Sequence, residues 1–296
     1  MLKKNLYLTA IFAFLILFTA FATVFSAPAE GSKADIIDLI IQKSGIPEQA
    51  AMIPTLFQDV NAKQEEETAR SSEIDAIFQA GFAAENIIAE IKQTFLNRYD
   101  EKNAREVLKF YDSELGKKIV KSEIDAARPD FPQKMAGFDI ENYDKKRRQV
   151  ITRLFDDMET MEFQSELQSI VMEMIFRSAN AVMPKKSRMS DEAVIDMWKK
   201  FKSEMNGEDS GDGQRTSILA MFYVTYENIT TGELEKYDKF LNSKPGKWYN
   251  QISQTGFINA LKKGAARVIQ DLMDYTDKHP GVETGENGDE DNIGDV

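Results

Sequence analysis

Residues 109–119 read Lys-Phe-Tyr-Asp-Ser-Glu-Leu-Gly-Lys-Lys-Ile, and residues 239–249 read Lys-Phe-Leu-Asn-Ser-Lys-Pro-Gly-Lys-Trp-Tyr. Five of the eleven positions are identical, at an offset of 130 residues. Each stretch reads as a helix end, a capping serine and a helix start. Ser113 and Ser243 can accept a hydrogen bond from the third amide of the following helix, an arrangement that contributes about 1 kcal/mol. Pro245 suits a first turn, where the missing amide proton costs nothing. Glycine inside a helix costs about 1 kcal/mol relative to alanine, so Gly116 and Gly246 predict close backbone approach by another helix.

Outward from these joints the apolar spacing is helical. Ala104 and Val107 precede the first joint as Leu234 and Tyr237 precede the second. Ile87, Ile88, Ile91, Phe95 and Leu96 follow helical periodicity, as do Phe257, Ile258, Leu261, Val268, Ile269 and Leu272. Asp35 is a candidate cap for a helix ending at Gly45, Pro47 suits the next first turn, and Ser190 can cap the helix carrying Val194 and Trp198. Few stretches alternate with period two, so the fold class is all-α. Ile36, Ile37, Ile40 and Ile41 match Val150, Ile151, Leu154 and Phe155 at an offset of 114. These offsets predict two tandem helical domains related by a weak internal repeat, at 33–141 and 145–278. The second domain carries extra length, which is expected in the polar loop Asn206–Gly213.

Composition narrows the chemistry. The 296 residues include 37 basic and 49 acidic side chains, for a formal charge of -12, with no cysteine and one histidine, His279. Disulfides, thiol nucleophiles, histidine triads and Cys/His zinc sites are excluded. The acidic balance and an exported destination argue against nucleic acid as a partner. No cofactor or metal is expected. The polar stretch near Asn206 lacks the ligand spacing of a calcium loop, with Glu208 where Asp or Asn is usual and Ser217 where a bidentate Glu belongs.

The first 29 residues read as a signal peptide: Lys3 and Lys4, then the uncharged apolar run Leu6–Phe25, then Ser26, Ala27 and Ala29. Cleavage removes two lysines and takes the charge from -12 to -14. The expected location is periplasmic or secreted; an uncleaved inner-membrane anchor is the rival reading, because twenty apolar residues can span a core of ~30 Å. At the other end, residues 279–296 form an acidic tail with Glu283, Glu286, Asp289, Glu290, Asp291 and Asp295 and no Lys or Arg, expected to be flexible and disordered.

The sequence Phe110-Tyr111-Asp112-Ser113 followed by Gly116-Lys117-Lys118, just after Asp100-Glu101-Lys102, resembles the signature of the bacterial family called domain of unknown function 2059. The resemblance is closest over residues 85–125. It implies an exported all-helical protein and carries no activity. The second copy departs from the signature at Leu241 and Trp248.

The candidate binding residues are Tyr111, Ser113, Gly116, Lys117 and Lys118, where two lysines beside free helix-end amides can hold an anion such as phosphate or carboxylate. The bland alternative is that each lysine meets water or a nearby carboxylate. Lys145, Lys146, Arg147 and Arg148 form a basic cluster that reads as a solvated face or linker, or as a peripheral contact with anionic lipid headgroups. Asp156, Asp157, Glu159 and Glu162 read as the solvated face of a helix whose buried stripe holds Leu154, Phe155, Met158 and Met161. Ten of the thirteen methionines fall in the second half and read as core filler rather than copper ligands. No catalytic motif is present, which favours a non-catalytic binding protein of the bacterial envelope, engaging an envelope protein or a small anionic ligand. The competing classes are a carboxylate-dependent hydrolase of envelope polymer and a structural protein at the membrane surface.

Overall fold

Caps set where the helices begin. Ser32 accepts from the Asp35 amide and Asp35 reaches back to the Ser32 amide, so Ser32 is the cap expected of Asp35 and Asp35 completes a capping box. The helix stops at Gly45, whose φ of 84° is left-handed and suits a residue without a side chain. In this computed structural model the described residues are 31–61, 69–126, 131–136, 138–205 and 210–279. The signal segment and residues 280–296 lie outside them.

The described residues form helices and no strand. In order they are α1 (Lys33–Ser44), α2 (Ile46–Asn61), α3 (Ala69–Gly81), α4 (Ala84–Asn97), α5 (Glu101–Asp112) and α6 (Glu114–Ala126). The short α7 (Phe131–Ala136) and a 3-10 turn at Ile140–Asn142 lead into the second half. There follow α8 (Lys145–Asp157), α9 (Thr160–Ala181), α10 (Asp191–Met205), α11 (Ser210–Thr225), α12 (Thr231–Leu241) and α13 (Lys244–Lys278). Ser210–Gly213, expected in a loop, instead open α11, while 206–209 lie outside the described residues.

The helix pairings cross the chain's midpoint. In the first half, α1 packs on α4 and α5; in the second, α8 packs on α11 and α12. α6, packed on α5 of its own half, also packs against α11, and α13, packed on α9 of its own half, also lies along α4. Each large core is therefore built from both halves. One joins Ile37, Ile40, Ile91, Phe95 and Val107 to Leu167, Phe257, Leu261 and Val268. The other joins Ile119 of α6 to Ile151, Leu154, Phe155, Phe222, Tyr226 and Leu234. Most of this apolar surface is fully withdrawn from water, at roughly 1.5–3 kcal/mol per large side chain. Where the halves meet, the rings of Phe110 and Phe240 stack with centroids 3.7 Å apart and planes within 5°.

Small residues let α13 approach. A Cβ on Gly256 would lie 3.0 Å from the Ile91 Cα, and one on Gly264 would lie 2.6 Å from the Phe82 ring. A side chain at Gly256 would push α13 off α4, and one at Gly264 would press on Phe82 in the turn before α4.

Candidate functional site

The Ser113 joint forms as its sequence dictates. Ser113 Oγ accepts from the Gly116 amide at 3.0 Å and donates to the Phe110 carbonyl at 2.6 Å. Ser243 does the same with the Gly246 amide at 3.2 Å and the Phe240 carbonyl. Gly116 and Gly246 are pressed against the preceding helix: a Cβ would sit 2.9 Å from the Tyr111 Cα in one and 2.8 Å from the Leu241 Cα in the other.

The five residues singled out at this joint have divergent surroundings. Tyr111 is buried, edge-on to Phe110 and Tyr249, and burial pushes its phenol well above the ordinary range. Gly116 is buried and Ser113 is spent as a cap. Lys117 is exposed and pairs with Glu114 at 3.1 Å. Lys118 reaches across to Glu233 of α12 at 2.7 Å. Its ammonium, with the Thr230 hydrogen bonds, holds the Glu233 carboxyl down at about 2. Both lysines therefore have carboxylate partners.

The basic cluster is dispersed too. Arg147 is buried, and its guanidinium donates to the carbonyls of Ile229 and Tyr226 at 2.6 Å each, closing the C-terminal end of α11. Lys146 pairs with Glu235 and Arg148 with Glu141, leaving Lys145 as the one of the four whose side chain has no hydrogen-bond or ion-pair partner among the described residues.

Beside the joint lies a buried acid that the sequence reading passed over. Glu123 on α6 is 3% exposed, and one oxygen accepts from Tyr226 Oη at 2.7 Å and from Tyr237 Oη at 3.2 Å. Burial pushes its carboxyl up to about 8, against the two phenol hydrogen bonds, so the group is protonated at neutral pH. The signal was available: Gly116, Ile119, Val120, Glu123 and Ala126 form one buried stripe, with a single acid in it.

A concave polar surface lies elsewhere. A groove of about 440 Å³ runs between α9 and α13, lined by Arg98, Glu159, Glu162, Glu166, Gln251 and Asn259, with Phe163 and Ile258 as an apolar floor. Three contacts fix its direction. The Trp248 indole donates to the Arg98 carbonyl at 3.0 Å, Gln254 donates to the Met158 carbonyl at 2.9 Å, and Lys262 pairs with Glu166 at 2.8 Å. The two helices thus run in the same direction, and Arg98 stands at the end where α9 begins.

Several lining groups are unspent. Among the described residues, the side chains of Arg98, Glu159, Glu162, Gln251 and Asn259 have no hydrogen-bond or ion-pair partner. Glu159 also has a left-handed backbone, φ 52°, the one such non-glycine residue among those described. That conformation costs a non-glycine residue about 1–2 kcal/mol. Glu159→Gly is therefore expected to stabilise the chain by about 1 kcal/mol, read as a rise in the urea midpoint; a loss of stability would show that the carboxylate serves the fold. Glu159 and Glu162 are exposed, as a solvated face requires, and that face is one wall of the groove. Asp156 and Asp157 point to other partners, Arg215 and Asn242. Arg98 and the α13 amides carried no sequence signal, since nothing local marks the wall of a groove made by distant segments. No group of three His, Cys, Asp or Glu side chains that could hold a metal occurs among the described residues.

Residues 85–136 match the family described as "Uncharacterized protein conserved in bacteria (DUF2059)". That segment covers α4 to α7, including Arg98, the Ser113 joint and Glu123, while the rest of the groove lies outside it. No curated protein and no solved structure matches the chain.

Proposed function

We propose that this chain is an exported, non-catalytic binding protein of the bacterial envelope, built from a duplicated helical unit, and that its ligand lies in the groove between α9 and α13. The observation that carries the reading is the groove's set of unspent donors and acceptors over an apolar floor. Binding sites combine these two features, because the floor supplies burial and the polar groups fix orientation. Export is supported by Lys3, Lys4, the Leu6–Phe25 run and the small residues that follow. The bacterial part of the reading is supported by the family match over residues 85–136. No helix among the described residues is long and apolar enough to cross a membrane. Duplication is supported by the 130-residue offset, which relates Asp100 to Thr230 as caps of α5 and α12 and Ser113 to Ser243 as caps of α6 and α13.

A second reading has an observation of its own. Glu159 and Glu162 line one groove, and a pair of carboxylates in a cleft is what hydrolysis of a polymer by acid–base chemistry needs. One experiment separates the two. The chain without residues 1–29 is incubated with purified peptidoglycan sacculi and sedimented, and the supernatant is assayed for released fragments and new reducing ends. Binding to the polymer predicts saturable retention in the pellet, weakened in Asn259→Ala, with no release. Release that disappears in Glu162→Gln would assign the hydrolase instead, and a chain left wholly in the supernatant would contradict the hydrolase and any polymer-bound ligand.

A further inference from the structure

We infer that the groove recognises a short peptide with both ends free, its carboxylate on Arg98 and its ammonium on Glu159 and Glu162. The inference rests on the groove being a binding site, and it names the ligand's chemistry from the charges left unmatched there. Lys262 is neutralised by Glu166, so Arg98 is the one cation of the lining without a partner among the described residues. Glu159 and Glu162 are the carboxylates without one. A purely anionic ligand would meet two carboxylates, and a purely cationic one would meet the guanidinium. A neutral sugar would desolvate all three charges and match none, which is unfavourable in a concave site. A divalent cation would need a third ligating side chain, and no such group converges among the described residues. A zwitterion satisfies all three.

The remaining lining fits the backbone between two such ends. Gln251 and Asn259 present free amides, and Gln254 keeps its carbonyl oxygen free because only its amide nitrogen is bound, to the Met158 carbonyl. These can pair with peptide N–H and C=O groups. Ile258 and Phe163 offer an apolar floor for a small side chain. Along α13 the contact with Arg98 falls at Trp248 and the contact beside Glu159 at Gln254, roughly 9 Å apart at 1.5 Å per residue and close to the ~10 Å of three extended residues. The guanidinium suits a terminal carboxylate because its two parallel donors match both oxygens.

Isothermal titration calorimetry on the chain without residues 1–29 tests this with three probes: tri-alanine, N-acetyl-tri-alanine and tri-alanine amide. The expected result is saturable binding of tri-alanine, weakened at least tenfold by blocking either end. In Arg98→Gln the free and amidated peptides should bind alike; in the double variant Glu159→Gln, Glu162→Gln the free and acetylated peptides should bind alike. These reversals identify which side chain reads which end and cannot come from misfolding, which would abolish all binding. Blocked peptides binding as tightly as the free one would overturn the zwitterion while leaving the groove as a site, provided Asn259→Ala weakens them. Absence of heat from all three would also overturn the inference; retention on sacculi then decides separately whether the groove binds anything.

Discussion

Replacing Glu123 by Gln is expected to remove a pH-dependent loss of stability that the wild-type chain suffers between about pH 5 and pH 8. The carboxyl titrates near 4.5 when exposed and is pushed to about 8 in the fold. Across that window the folded state holds a proton that the unfolded state has released. Stability from this group is therefore fully present below 4.5 and is lost as pH rises through 8. Each pH unit within the window costs about 1.4 kcal/mol, so the whole span amounts to a few kcal/mol. The groups facing Glu123 do not offset the effect: Tyr226, Tyr237 and Tyr111 are raised well above their ordinary value by burial, and Tyr249 is raised to about 12. They stay neutral throughout and act as donors or spectators. In Glu123→Gln the amide oxygen can still accept from Tyr226 and Tyr237, and nothing ionises. Urea midpoints taken from pH 5 to pH 8.5 should diverge, with the variant gaining steadily on the wild type. Parallel profiles would show that Glu123 is solvated or paired in solution.

Gly116→Ala and Gly246→Ala are each expected to destabilise the chain by about 3 kcal/mol, although alanine is the better helix former by about 1 kcal/mol. The sign reverses because the new Cβ meets backbone, at 2.9 Å from the Tyr111 Cα or 2.8 Å from the Leu241 Cα. Backbone cannot rotate aside as a side chain can, so α6 or α13 must tilt away from the helix before it. That tilt propagates, because α6 carries Ile119 and Glu123 into a core formed largely by the second half, and α13 carries Phe257, Leu261 and Val268 into the other. The neighbours Lys117 and Lys247 are exposed, and their replacement by Ala should change stability by less than about 0.5 kcal/mol. Equilibrium urea unfolding of the four variants measures both. Alanine tolerated at both glycines would mean that the helices do not meet as closely as described.

The helices and their joints were readable because their causes are local. A 3.6-residue apolar period, a serine three residues before a glycine, and a glycine after Ser44 act within a turn or two, and all three predicted structure at the right place. Which helix packs on which is a different kind of information. The stripe on α13 says that Phe257, Leu261 and Val268 are buried, and it is silent on whether they face α4 or α11. The exchange of α6 and α13 was therefore beyond the periodicity, as was the groove, which exists because α13 lies along α9 with Arg98 at its end. Glu159 and Glu162 are solvated as their spacing predicts, and only the tertiary fold turns that solvated face into a wall. At Ser210–Gly213 glycine and polar residues suggested a loop, but caps and first turns have the same composition, and α11 begins there.

We propose the groove between α9 and α13, rather than the surface of the Ser113 joint, as the place where this protein meets its ligand. The most direct measurement places a photo-crosslinking amino acid at Asn259 in one variant and at Lys117 in another, in cells of a bacterium that carries the protein. After illumination, the purified chain is weighed by intact mass spectrometry. The account predicts a discrete added mass of peptide size at position 259, lost when Arg98 is also replaced by Gln, and none at 117. An adduct confined to position 117, with the groove position unmodified, would contradict it.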